Sequence, residues 1–405
     1  MELQMFVRIL VVSIFVGSTW ASSDEPLVGL AHLTEARVEA TDFEKIAPSE
    51  QEMIQAIVKA TGVQMATRYK GGETVRRNQH AKSHGCVAGK FTIREDIDAK
   101  YQVGLFSSVR SYDAIVRFSN ADSRDRDDSP ELAPGVRMHG SRGMAIKVLG
   151  ISGESLLPQH GALTQDFVMI NSPVFVFANV EDYALASRLI AEHGDDKGGT
   201  EFFRRRQMPG TTAEQKTRAA ETGRIAAQIR STGTPAPFQT PPTTPLENSY
   251  FGAAPFLFGT DQVMRFRVVP IDENAEGKQP LIEESNYLRE GLANRLSSGE
   301  PVRFVFEAQI RSKAQITDII TQIENASLEW QDNPEEYPWT ALADLVISSS
   351  EPLDEAVCES LVFTPWHCLK EHQPLGSINR LRKAVYLESA MIRNMPKEPA
   401  SLPDR

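Results

Sequence analysis

The sequence predicts an α+β fold built on antiparallel strands, and three observations carry the prediction. Val302, Phe304, Phe306, Ala308 and Ile310 alternate with Arg303, Glu307 and Gln309, and residues 263–269 alternate in the same way. A period of two gives strands with one buried face, the pattern of an antiparallel sheet. Residues 377–393 run without Gly or Pro after the Pro374-Leu-Gly376 turn, which gives a single helix with Ser377 as its natural cap. Finally, 405 residues without an internal repeat, a phosphate-binding Gly-rich loop or a Gly-x-Ser-x-Gly elbow leave room for one large core with appended helices.

Taken in order, the chain opens with an apolar run, Ile9–Val16, followed by the small-residue end Thr19-Trp-Ala21. Residues 1–21 are therefore expected to be a secretory signal peptide, too short to span a bilayer, and the product to be exported, periplasmic or secreted. Residues 22–75 form a polar arm in which Met53, Ile54, Ile57 and Val58 recur at helical spacing after Ser49. Gly85 and Gly89 open an alternating strand, and Tyr112–Asn120 and Arg142–Val148 are further strands. Residues 180–232 are helical in character, with 214–229 the clearest stretch, and the Pro-rich span 234–245 is a long loop of the kind that lines access routes. A helix is expected over 316–330.

The formal charge of −11 makes nucleic acid an improbable partner. Three cysteines are too few for a disulfide scaffold; in an oxidising compartment Cys358 and Cys368 can close a short loop and leave Cys86 free. No Cys/His spacing suggests zinc, and the Asp-rich stretch 121–130 lacks the spacing of an EF-hand.

The chemistry concentrates on the C-terminal helix. At 100° per residue, Arg382, Tyr386 and Arg393 fall within roughly 40° of one another, so one stripe carries a phenol between two guanidinium groups. A guanidinium one turn away favours an anionic phenol oxygen, which makes Tyr386 a candidate metal ligand.

That stripe resembles the proximal haem helix of the catalase family, in which Arg-x-x-x-Tyr supplies the axial tyrosinate and a later arginine meets a haem propionate. Arg382, Tyr386 and Arg393 occupy those places. Four further segments resemble the family in the same order. In Arg77-Asn-Gln-His80-Ala-Lys82, His80 takes the distal acid–base role, suited to a histidine titrating near neutrality, and Arg77 a propionate contact. His84 stays open as a rival distal base, and Gln79 replaces the aliphatic residue usual beside the distal histidine. In Arg117-Phe-Ser119, the arginine is a second propionate ligand and the serine holds the imidazole. Arg142-Gly-Met-Ala-Ile-Lys147 matches a scaffold strand. In Ile170-Asn171-Ser-Pro-Val-Phe175, Asn171 is the distal donor, in register or shifted by one, and Phe175 packs on the ring.

The resemblance implies a catalase-like closed antiparallel β-barrel over 76–312 with the helical insertion 180–232, then a C-terminal part 313–405 bearing the proximal helix 377–394. Haem would lie between the barrel's mouth and that helix. The implied cofactor is haem b with ferric iron on Tyr386. The implied substrate is hydrogen peroxide or a small organic hydroperoxide, with a small organic electron donor if the reaction is peroxidatic. A fatty-acid hydroperoxide enzyme and a non-enzymatic exported haem- or ligand-binding barrel remain the alternatives, and a homo-oligomer stays open.

Overall fold

The computed structural model describes residues 41–405 except 72–73, scattered positions within 122–139, most of 194–241, and 272–283, 331–334, 395–396 and 404–405. The expected signal peptide, the helix over 214–229 and most of the Pro-rich span fall outside the described residues.

Eight strands close a ring. They are β1 (Ser83–Ile93), β2 (Ser111–Asn120), β5 (Arg142–Val148), β6 (Gln165–Ile170), β7 (Tyr250–Phe251), β9 (Gln262–Pro270), β10 (Val302–Ser312) and β11 (Thr340–Ile347). The order around the ring is β10-β11-β1-β2-β5-β6-β7-β9, and β9 pairs with β10 to close it. Every pairing is antiparallel. A short β8 (Phe256–Phe258) hangs on β9, and β3 (Glu131–Ala133) with β4 (Val136–Arg137) forms a small ribbon outside the ring. Closure removes the exposed sheet edge that would otherwise invite association.

The alternation seen in the sequence fills the barrel. Phe91, Phe106, Phe167, Phe266 and Phe306 interlock there, with Phe167 and Phe306 centroids 4.6 Å apart. Such tilted and edge-on aromatic pairs add to what area burial alone contributes.

Outside the barrel lie, among the described residues, the helices α1 (Glu50–Arg68), α2 (Val180–His193), α3 (Tyr287–Ser297), α4 (Glu355–Ser360) and α5 (Ser377–Ile392). Ile54, Ile57 and Val58 of α1 pack with Leu381 and Ala384 of α5 and Val180 of α2, so the arm is part of the domain's helical layer. Gly376, not Ser377, caps α5. Its φ of 85° is available to glycine, and a Cβ there would run into the carbonyl of Ile323. Ser377 becomes the first helical residue and its Oγ accepts the Val180 N–H at 3.0 Å.

Three expectations are corrected. The barrel does not end at 312, because β11 lies between β10 and β1; its Ala341 and Ala343 and its near-continuous apolar run blur the alternation that marks the other strands. Residues 316–330 are not an α-helix. They hold only a short π-helical turn at 320–324, since Ile323 and Trp330 are drawn into a small core with Phe43, Val263 and Leu375, and the Trp330 indole donates to Gln322 O. The disulfide joins Cys86 of β1 to Cys358 of α4, with Cα atoms 5.5 Å apart, and Cys368 is the free, buried cysteine. Tertiary packing brings together two residues 272 positions apart, a pairing that spacing cannot reveal.

Arg380 of α5 is buried among Glu44, Glu50 and Glu324 at 2.5–2.8 Å. Replacing it with leucine would leave three buried carboxylates without their cation, so Arg380→Leu is expected to lower unfolding free energy by about 3–5 kcal/mol. Urea denaturation at neutral pH measures it; a loss near zero would show that the carboxylates relax into water.

Candidate functional site

A cavity lies between the strands β2, β5 and β6 and the helix α5. In β2, Val116 and Phe118 face the barrel core, so Arg117 and Ser119 face outward by strand alternation. The cross-strand register sets Arg117 beside Ala145 and Ser119 beside Gly143. The site thus uses the outer face of the barrel wall rather than the expected mouth. Met144, Val168, Met169 and Phe363 make the walls largely apolar.

His80, Arg77, Arg117, Ser119, Tyr386 and Arg393 all line this one cavity. His80 Nδ1 lies 3.0 Å from Ser119 Oγ. Its φ of 59° is left-handed, a strained conformation for a side-chain-bearing residue that the surroundings must hold in place. Part of that hold is the Arg117 guanidinium, which donates to the His80 carbonyl at 3.0 Å. Burial, then the charges of Arg117, Arg382 and Arg77, depress the His80 imidazolium to about 3. The ring is therefore neutral throughout the physiological range, which corrects the expectation of titration near neutrality.

Arg382 lies alongside the cavity. Its guanidinium is 5.5 Å from the Tyr386 ring centroid and is fixed by Asn379 Oδ1 and the Val168 carbonyl, each at 3.1 Å. Arg77, Arg117 and Arg393 converge on Glu359, whose Oε2 accepts from Arg77 at 2.6 Å and Oε1 from Arg117 at 3.3 Å, while its carbonyl accepts from Arg393 at 3.0 Å.

Two expected residues are turned elsewhere. The Asn171 amide oxygen accepts the Arg142 N–H at 2.8 Å, because Asn171 follows the last residue of β6 and faces the start of β5. It does not line the cavity. Phe175 packs on Phe177, 5.9 Å between centroids, in a satellite core with Phe202. The rival His84 is fully buried in a different polar cluster, with Nε2 3.0 Å from Asn120 Oδ1, and burial depresses it too to about 3.

The cavity also contains residues that sequence reasoning missed. Thr61 of the arm, Tyr183 of α2, and Val385 and Ser389 of α5 line it; Ser389 lies one turn before Arg393 and its Oγ accepts the Asn78 N–H at 3.2 Å. Beside the cavity, Gly143 carries a steric constraint. A Cβ there would stand 2.5 Å from His80 Cε1 and 2.8 Å from Ser119 Oγ, so the glycine of the Arg-Gly-Met-Ala segment is the space the imidazole occupies.

Asp166, His367 and Glu398 lie close enough to share a metal ion. The Lys147 ammonium already stands between the two carboxylates, 2.8 Å from Asp166. Together they tie the C-terminal segment to the barrel wall.

No family model and no curated protein matches the chain. Among solved structures it is similar to catalase A from Saccharomyces cerevisiae, at 15% identity and TM-score 0.56, over 94% of this chain and 70% of that one. It is similar to a fungal catalase at 15% identity and TM-score 0.56 (94% and 67%), and to a bacterial catalase at 16% and 0.53 (95% and 64%). The chain has a catalase-like fold: a closed eight-stranded antiparallel barrel with outer helices. At that identity the likeness extends to fold alone.

Gly143→Ala is expected to drive the His80 ring off Ser119 and to cost about 1–3 kcal/mol of stability from overpacking, leaving the barrel folded. A crystal structure of the variant checks the ring position; an unmoved imidazole with the methyl accommodated would overturn the role given to Gly143.

Proposed function

We propose that the protein binds haem b through Tyr386 and consumes hydrogen peroxide or a small organic hydroperoxide. The observation that carries this reading is that His80, braced by Ser119, and Tyr386, flanked by Arg382, line one apolar cavity with three arginines in its wall. The donor set fits the group. The buried Nε atoms of Arg117 and Arg393 have no hydrogen-bond partner, and guanidinium donors of this kind pair well with carboxylates such as propionates.

When bound, ferric haem would supply the two-electron redox chemistry that the side chains cannot. The remaining work falls to this chain. Neutral His80 accepts the hydroperoxide proton at a ring nitrogen and returns it to the departing oxygen. Ser119 and the space left by Gly143 hold the ring for that transfer. Tyr386 would hold the iron through its phenol oxygen, with the Arg382 guanidinium beside its ring.

With Asn171 engaged by Arg142, that amide is missing from the cavity, and Gln79, whose Nε2 has no hydrogen-bond partner, lines it with Met144 and Met169. This favours weak oxygen release alongside oxidation of small organic donors, in a protein exported to meet external peroxide. The rearrangement of a fatty-acid hydroperoxide is the second reading, favoured by the apolar Val168, Met169 and Phe363 walls.

Tyr386→Phe is expected to lose haem or to shift its absorption spectrum markedly; unchanged content and spectrum would remove Tyr386 as the ligand. Steady-state assays with hydrogen peroxide, an alkyl hydroperoxide, a fatty-acid hydroperoxide and a phenolic donor on one haem-replete sample separate the reactions. Oxygen release without phenol oxidation would replace the peroxidase preference with plain catalase, and donor-free rearrangement would favour the second reading. A protein that never takes up haem is a binder of something else. Because His80 stays neutral to about 3, turnover should be level from about pH 8 to pH 5 and fall only toward the pH at which the imidazole protonates. A rate that halves near pH 6.5 would contradict this.

A further inference from the structure

The three cavity arginines come from three separate parts of the fold: Arg77 from the segment before β1, Arg117 from β2 and Arg393 from the end of α5. Like charges gathered in one buried wall repel, and burial with that repulsion pulls Arg77 well below its ordinary range. Something must hold them together. The structure supplies it at residues 358–361. Glu359 receives Arg77 and Arg117 on its carboxylate and Arg393 on its carbonyl, and the second Arg77 nitrogen donates to the carbonyls of Leu361 at 2.6 Å and Cys358 at 3.3 Å.

Glu359 does not line the cavity, whereas all three arginines do. Its carboxylate therefore grips the guanidinium groups from behind and does not occupy the space a ligand would fill. The position of Glu359 is itself fixed. The short helix α4 is capped by Asp354, which accepts from Ala356 N at 2.8 Å. The neighbouring Cys358 is bonded to Cys86, and Cys86 is the direct cross-strand partner of Arg117. Leu353 N also donates to the Cys86 carbonyl at 2.7 Å. So the disulfide ties the carboxylate to the same rung of the barrel wall that carries one of its arginines.

Three guanidinium charges less one carboxylate leave two positive charges in the wall, and the buried Nε donors of Arg117 and Arg393 are unused. We infer that Glu359, anchored by the Cys86–Cys358 disulfide, is a positioning residue that sets this wall to receive a ligand bearing two carboxylates on one edge. This rests on the haem reading above, since haem carries two propionates, and it adds a role for two elements that reading does not use.

The test uses the full chain reconstituted with haemin or with haemin dimethyl ester, whose propionates are uncharged. Release into an excess of a haem-scavenging apoprotein is followed at the Soret band, after circular dichroism establishes that each variant is folded. Wild type should hold haemin more tightly than the ester. Glu359→Gln and the double variant Cys86→Ser/Cys358→Ser should each release haemin about tenfold faster, the size expected for one charge-assisted hydrogen bond, with ester release unchanged. Combining them should add little, since both act through the same carboxylate. Haemin retained equally or more tightly in Glu359→Gln would mean that the carboxylate competes with the ligand, and equal acceleration of haemin and ester would mean a loosened cavity; either result overturns the inference and leaves haem binding standing. Absence of a Soret band with both tetrapyrroles is a different result, which removes the haem reading and this inference with it.

Discussion

One buried guanidinium orients the helix on which the site depends. Arg380 is held by Glu50 on both Nε and Nη2, by Glu44 and by Glu324. Burial alone would lower its affinity for its proton, and the hydrogen bonds and charges of Glu50 and Glu324 raise it instead. The excess carboxylate charge is met by backbone donors: Gly376 N to Glu44, Ser377 N and Lys45 N to Glu324. Two of those donors belong to the first turn of α5, where the helix dipole favours negative charge. The arm, the 320s segment and the start of α5 are thereby joined at one point, and the rotation of Tyr386, Arg382 and Arg393 about the helix axis follows from it.

Against that fixed helix stands a wall whose electrostatics run the other way. Positive charge dominates the cavity, and burial, reinforced by that charge, keeps His80 neutral where an ordinary histidine would begin to protonate. A neutral imidazole in an apolar, cationic pocket is a proton acceptor without competition from its own titration, which is what the proposed chemistry asks of a base. The left-handed backbone at His80, the Arg117 contact to its carbonyl and the missing side chain at Gly143 are three parts of one constraint. Strain of this kind is stored where the surrounding structure over-determines it.

Below the Tyr386 helix, a second buried ionic group closes the fold. Lys147, Asp166 and Glu398 join β5, β6 and the C-terminal segment, and His160 Nδ1 meets His367 Nε2 at 2.9 Å beside them. Burial lifts Asp166 to about 6 despite Lys147. The Arg380 cluster thus ties the outer segments to one another, and the Lys147 cluster ties the C-terminal segment to the barrel wall.

Local pattern was enough for the sequence to determine the antiparallel strands, the single uninterrupted helix at 377–392 and the grouping of Arg382, Tyr386 and Arg393 on it, because periods of two and 3.6 depend only on neighbouring residues. His80, Ser119, Arg77 and Arg117 were legible as short ordered motifs, and they do meet in one cavity. Tertiary structure alone decided the rest. Asn171 and Phe175 lie one bend past β6, where a single-residue change of facing turns a side chain from cavity to backbone or core. Strand β11, the Cys86–Cys358 bond, the Glu359 grip on three arginines and the space at Gly143 all join residues far apart in sequence. Nothing in the spacing of either partner encodes such contacts, because they are set by how the closed barrel and its outer helices pack, and that is a property of the whole chain.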